Sequence, residues 1–552
     1  MSVLLAEPPA EVTTPEPSRS IRNLCGDVLV MSVLLLAAAF TTTGWFSADE
    51  VVMRQQSTAL ASTGSWVVPG NTAADAIDPD RQFVLLARSD SAGTEIVPYG
   101  KHPALPATLS VFERMAGNPG RYLPAVLAAL AAALFVSASS GWSRLGFWLV
   151  GLSSPLLFHV TVLWGHAHAL GFSTLALYGV HRVCRRRAPD AVGAVSLVAG
   201  IVGASLMRSE GLLLGAAVGL AFIVIAAVSK ANRYLAALSP LPFAAAIGVY
   251  LGEPVLREWL IGGSPSPLGP STGDGLTLAS RLSVARIMLI QPSLSGSALG
   301  SLRLVGLILL VIASGAALRR AISADRLRLL ALLGAAGFVL AFAEGPSPAL
   351  LVTVPLLVVA LPWATFTTAF NQVLGVVTVS FTLAVILTSY DNAGGGDWGA
   401  RYLFIVVPFL AAMALPAVQR AWLDPRGRSV VVSAAVAAAA MQGGVVLDLM
   451  QRDQTVATVD DVAETIRRHT SRQSDWVVAV SDERLARFLY DRGLRGASFF
   501  VPLDQEEEFL DLLDLAGADR IIWVDLGSDG DERDVEPSET HGSVSIRTVV
   551  RR

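Results

Sequence analysis

The chain is poor in charge. Of its 552 residues only 16% are charged, while 53% are hydrophobic; soluble domains usually carry about 25% charged residues. That balance excludes an ordinary water-soluble enzyme. Lysine is nearly missing, since Lys101 and Lys230 are the only two among 41 basic residues, and the preference for arginine reads as the mark of a GC-rich bacterial genome. Cysteine is scarce too. Cys25 and Cys184 both fall in or beside segments expected on the cytoplasmic side, which argues against a structural disulfide and against a zinc site. The net charge of −4 is small for this length, so neither a nucleic-acid partner nor an acidic tail is indicated. Internal repeats are absent from the pattern.

What the chain has in quantity is apolar runs close to the ~20 residues needed to cross a hydrocarbon core. Residues 28–46 and 211–229 are examples. About thirteen spans are expected, starting near Val28, Tyr122, Leu145, His166, Ala191, Gly211, Tyr234, Arg303, Leu329, Leu350, Val373, Tyr402 and Val430. The first run follows a polar, Pro-rich leader and lacks a small-x-small cleavage pattern, so it reads as a retained span and not as a signal peptide. The expected fold class is a polytopic α-helical membrane protein with about 13 transmembrane helices and a small C-terminal α/β domain. The chain divides into a cytoplasmic leader (1–27), a transmembrane module (28–447) with long external loops at 47–121 and 253–301, and an extracytoplasmic α/β domain (448–552).

Orientation follows from the basic residues. With the amino terminus in the cytoplasm, Arg19, Arg22, Arg144, the arginines of 182–187, Lys230, Arg233 and those of 319–328 and 420–428 all fall inside. The short turns around Leu163, Arg208, Glu344 and 391–401 fall outside and carry few cations, as the positive-inside rule requires. An odd number of spans puts the carboxyl-terminal domain outside. The expected location is multi-pass in the plasma (inner) membrane, in contact with membrane lipids.

The first external loop contains amphipathic stretches at 50–63 and 106–115 that suit helices lying at the interface. The second has a Gly/Ser/Pro-rich middle, 262–275, followed by an apolar stretch, 282–291; it reads as a lid or as a plain connector. Beyond Asp448, β-forming runs at 476–480, 497–501, 521–524 and 543–550 alternate with helical patterns at 459–470, 482–491 and 505–516, with an acidic loop at 525–539. This domain has no Gly-rich phosphate loop and no nucleophile elbow, so a structural, substrate-gripping or partner-binding role is expected of it.

Polar residues suited to chemistry gather on the outer side. Asp49-Glu50 follows the first span within about a helical turn; the pair reads either as a helix cap or as a general base at the membrane boundary, where a lipid-linked donor can reach it from the bilayer. The first loop ends in Tyr99-Gly100-Lys101-His102-Pro103-Ala104-Leu105, and three further stretches stand at outer span ends: Trp164-Gly165-His166-Ala167, Arg208-Ser209-Glu210-Gly211 and Asp397-Trp398-Gly399-Ala400-Arg401-Tyr402. In order and sidedness, over roughly residues 28–420, these motifs resemble the GT-C glycosyltransferases, a superfamily that includes protein O-mannosyltransferases and lipid A aminoarabinose transferases. The chain departs from that pattern at Gly165, where the family often has an acidic residue, and at Ser209, where it often has proline.

The resemblance implies an inverting transfer of a hexosyl or pentosyl group from a polyprenyl-phosphate sugar to a cell-envelope glycan, lipid or protein. It implies Asp49 as base, with Glu50 the second catalytic candidate. Arg208 and Arg401 are expected at the leaving phosphate, because a guanidinium can bind two of its oxygens at once. Lys101, His102, His166 and Asp397 are the further substrate-binding candidates. His166 and His168 are two positions apart and do not share a helix face, so a metal held by that pair alone is not expected. Some members of the superfamily use a divalent cation, but no carboxylate pair beyond Asp49-Glu50 stands at ligand spacing. Two other classes remain: a transporter or flippase of lipid-linked sugars, and a non-catalytic envelope scaffold. The near absence of charge within the expected spans argues against ion-coupled transport.

Overall fold

A computed structural model describes residues 17–41, 47–66, 68–69, 72–79, 82–83, 95–96, 103–139, 143–152, 155–188, 190–261, 277–293, 296–389, 399–470, 476–491, 498–518, 520–526, 539–541 and 544–550. The chain is a polytopic α-helical membrane protein. Among the described residues eight helices are long and apolar enough to cross a bilayer: Leu24–Thr41, Asn118–Ser139, Glu210–Val228, Lys230–Leu260, Ala298–Arg319, Ala369–Thr388, Arg401–Leu423 and Pro425–Thr470. Helices also stand at the other expected positions, but they are shorter or more polar. Arg144–Leu152 has 9 residues, Ala324–Leu340 has 17, and the run near Leu350 is broken into Leu350–Thr353 and Pro355–Ala360 at a proline that cannot donate to the preceding turn.

Large apolar side chains such as Leu29, Val195, Leu332 and Leu387 stay exposed along the helices. In water such surface would be costly, whereas in a bilayer it is the solvated face. Several of the charges inside the helices are buried with partners. Glu253 and Arg257 pair at 3.0 Å one turn apart, and the Arg303 guanidinium donates to the carbonyls of Pro292, Ala341 and Gly345. The Glu253–Arg257 pair lets helix Pro240–Ile261 continue through the position where the second external loop was expected to begin.

The boundary expected at Asp448 is not a break in the backbone. Helix Pro425–Thr470 runs through it for 46 residues, about 70 Å at 1.5 Å per residue, so the last span and the first helix of the carboxyl-terminal segment are one rod. A short ladder of β1 (Val68–Pro69) and β2 (Glu95–Ile96) lies in the first loop. Strands β3 (Val477–Val480), β4 (Ser498–Phe500), β5 (Arg520–Leu526), β6 (Glu539–His541) and β7 (Val544–Val550) form a sheet in the order β4-β3-β5-β7-β6. Its β3, β4 and β5 are parallel, and β7 runs antiparallel to β5 and β6. The first loop is anchored on this sheet: Ala74 and Phe83 are buried among Val477, Phe499, Phe509 and Trp523, and the Phe83 carbonyl accepts the Phe500 N–H at 2.9 Å.

A cleft at the polar end of the helical bundle

Helix Ala48–Ser62 opens the first loop, and its two leading carboxylates have different fates. Successive side chains diverge by about 100° around a helix. Glu50, at the third position, turns into the protein and is fully buried. Its Oε2 accepts the Ser47 N–H at 3.0 Å, the return half of a capping box, and its Oε1 accepts the Leu163 N–H at 3.0 Å. Asp49 stays partly exposed and lines a cleft with Met53, Leu105, Leu163, Trp164, Gly165, His166, Met207, Arg208 and Arg401. Its place in the first turn of the helix favours the ionised carboxylate.

The other walls are helix ends. His166 begins helix His166–Arg186, Arg208 ends helix Ala191–Met207, and Arg401 opens the turn into helix Val407–Leu423. Chains that run up and down the bundle bring these ends to one side. The fit is close at Gly165, where a Cβ would meet the Met207 carbonyl oxygen at 2.4 Å. An acidic side chain at that position has no room. Before Arg401, Gly399 and Ala400 both adopt the left-handed conformation, at φ 71° and 48°. For Ala400 this costs about 1–2 kcal/mol, strain of the kind that gathers where a side chain must be aimed.

Arg401 lies over the rings of Trp164 and Tyr402, 5.1 and 5.0 Å from their centroids, and donates to the Tyr402 hydroxyl at 3.2 Å. Trp164 in turn donates through Nε1 to Ser47 Oγ at 3.1 Å, tying this wall to the cap of the Asp49 helix. Arg208 grips Glu210 with two bonds, of 2.7 and 3.1 Å, and lies 5.6 Å from the Tyr402 centroid. Burial opposes its charge, but the Glu210 carboxylate outweighs burial and holds the guanidinium above its ordinary pKa. Arg401 and the Glu210-bound Arg208 thus share a small aromatic-walled space with the Asp49 carboxylate, an arrangement fit to hold an anion.

Of the expected site residues, Asp49, His166, Arg208 and Arg401 meet in this cleft. Glu50 adjoins it from the buried side. Lys101, His102 and Asp397 lie outside the described residues. Sequence reasoning missed the pairing of His159 with His166, whose rings are 5.2 Å apart, and the stacking of His159 on Phe404 at 4.1 Å. Contacts between different helices leave no spacing signal. It also missed Arg487, whose Nη1 is 3.7 Å from Asp49 Oδ1. Among the described residues no three His, Cys, Asp or Glu side chains gather as a metal site, and both Glu50 oxygens are taken by backbone N–H groups.

No protein-family model and no curated protein matches the chain. Its fold is similar to solved structures of ArnT from Cupriavidus metallidurans. Against the one bound to undecaprenyl phosphate the TM-score is 0.51 at 11% identity, covering 95% of this chain and 98% of that one. Against the apo state it is 0.50 at 12% identity with the same coverage. An oligosaccharyltransferase from Archaeoglobus fulgidus, tethered to an acceptor peptide, aligns at 0.41 and 11% identity over 90% of this chain and 68% of that one, a likeness that carries no argument. The chain therefore has a GT-C fold.

Proposed function

We propose that the chain is a membrane glycosyltransferase that moves a hexosyl or pentosyl group from a polyprenyl-phosphate donor to a cell-envelope acceptor. The observation that carries this reading is the cleft itself, with Asp49 facing Arg208 and Arg401. Undecaprenyl phosphate is bound by the ArnT whose fold this chain shares, and two guanidiniums beside a carboxylate suit a lipid phosphate carrying a sugar.

The reaction is an inverting displacement at the anomeric carbon. Asp49 takes the proton of the acceptor hydroxyl as its oxygen bonds to that carbon. The bond to the phosphate oxygen breaks with its electron pair, and the departing phosphate gains one negative charge. Arg208 and Arg401 stabilise that charge where it develops, which is the term that lowers the barrier. Trp164 and Tyr402 hold Arg401 in place and exclude water, which strengthens its pull.

Sidedness follows from the opposite end of the bundle. Helix His166–Arg186 starts at the cleft and ends in Arg185 and Arg186, about 30 Å away at 1.5 Å per residue. Basic ends tend to face the cytoplasm, which supports a cleft that opens on the extracytoplasmic face of the plasma membrane, with the carboxyl-terminal sheet on the same side.

The test is Asp49→Asn in membranes carrying the full chain, supplied with undecaprenyl-phosphate-linked pentoses and hexoses and scored by release of undecaprenyl phosphate. Removal of the base lowers turnover by about 10²–10⁴-fold and leaves membrane insertion intact. Wild-type turnover in that variant would remove Asp49 from the role.

A further inference from the structure

The carboxyl-terminal segment reaches a residue of the cleft, Asp49, through Arg487. Helix Glu483–Asp491 follows β3 and packs against both helix Ala48–Ser62 and the long helix Pro425–Thr470. Leu485, Ala486, Phe488 and Leu489 on this helix are all buried, so its rotation is set by packing and not by the charge it carries. Arg487 projects from it toward Asp49, with Nη1 3.7 Å from Oδ1. Arg487 is 15% exposed and Asp49 24%, so water screens the contact less than it would on an open surface.

Asp49 lines the cleft, whereas Arg487 is not among the lining residues. The arginine thus approaches the carboxylate from helix Glu483–Asp491 and not from the helix ends that wall the cleft. A pair at this separation favours the ionised form of the acid and limits the orientations of its carboxyl plane. Both are requirements of a base that must accept a proton along one direction.

Resting on the reading of Asp49 as the base, we propose that Arg487 is a positioning residue for Asp49, so that the carboxyl-terminal segment completes the active site of the transmembrane module. The site is then in two parts: cleft and arginines come from the helical bundle, and the alignment of the base comes from beyond the last span. Removing or shifting helix Glu483–Asp491 lowers turnover without touching a residue that contacts the donor.

The experiment compares the full chain with Arg487→Met, Arg487→Lys and Asp49→Asn in membranes, following release of undecaprenyl phosphate from undecaprenyl-phosphate-linked sugars across pH. Binding of undecaprenyl phosphate is measured alongside, with Arg401→Gln as the reference for a lost phosphate contact. The expected result for Arg487→Met is a fall in kcat of about tenfold to a hundredfold, unchanged KM for the lipid donor, unchanged affinity for undecaprenyl phosphate, and an acid limb of the pH profile moved to higher pH. Arg487→Lys, which keeps the charge, restores most of the rate and returns the limb. Where Arg487→Met does not accumulate as folded protein, Arg487→Gln is read by the same criteria. An unmoved acid limb, or a loss of undecaprenyl phosphate affinity equal to that of Arg401→Gln, overturns the proposal. The two readings separate cleanly: wild-type turnover in Asp49→Asn ends the assignment of the base, whereas an inactive Asp49→Asn beside an unmoved limb in Arg487→Met removes Arg487 alone.

Discussion

Asp49 and Glu50 are chemically alike and adjacent, and from the sequence they form one acidic pair that is either a cap or a base. The helix separates the two roles. Glu50 is the cap, accepting the Ser47 and Leu163 N–H groups from a fully buried position, while Asp49 faces the cleft. Glu50→Ala leaves the buried Leu163 N–H without that acceptor, at about 1–3 kcal/mol, and removes the cap bond, at about 1 kcal/mol. Thermal unfolding in detergent is expected to show a loss of about 2–4 kcal/mol, and a variant as stable as the parent would contradict the structural role. That Asp49, His166, Arg208 and Arg401 lie together was legible because each stands in a short polar motif at the end of a helix. Arg487 was not. It belongs to an amphipathic helix far along the chain, and nothing in its local pattern distinguishes it from the other arginines of a segment read as soluble.

Between elements, the cleft depends on how helix Ala48–Ser62 is held against helix Ala104–Ala116, and a buried polar network does this. Arg121 donates to Glu113 Oε2 at 2.7 Å and to Thr58 Oγ1 at 2.8 Å, and Ser57 Oγ donates to Glu113 Oε2 at 2.9 Å. Burial by itself would raise the pKa of Glu113, but the bonds from Arg121, Ser57 and Thr58 outweigh it and hold the carboxyl below its ordinary value of 4.5. A depressed folded-state pKa contributes stability that is complete above the unfolded value and is lost as pH falls through the folded one. The stability difference between the parent and Glu113→Gln is therefore expected to be constant above about pH 5 and to shrink as pH drops below 4.5. Unfolding midpoints measured in parallel at several pH values check this; a difference that grows on acidification has the wrong sign. The helices themselves were legible from their periodicity. The network was not, because Ser57, Thr58, Glu113 and Arg121 read as ordinary polar loop residues until two helices place them together.

At the scale of the molecule, hydropathy located the bundle, and the alternation of β-forming runs with helical patterns located the carboxyl-terminal sheet. Neither reveals that helix Pro425–Thr470 joins the two as one continuous rod, or that Phe83 of the first loop is built into the hydrophobic layer of the sheet. Both are tertiary facts. They hold described parts of the first loop against the carboxyl-terminal segment, so that the Asp49 carboxylate and Arg487 meet. The central claim is that this cleft holds a polyprenyl phosphate beside Asp49, and a structure of the full chain with undecaprenyl phosphate bound tests it most directly. The phosphate is expected within hydrogen-bond distance of the Arg208 or Arg401 guanidinium, on the side of the cleft that faces Asp49; a phosphate bound at the opposite, arginine-rich end of the bundle would contradict the account.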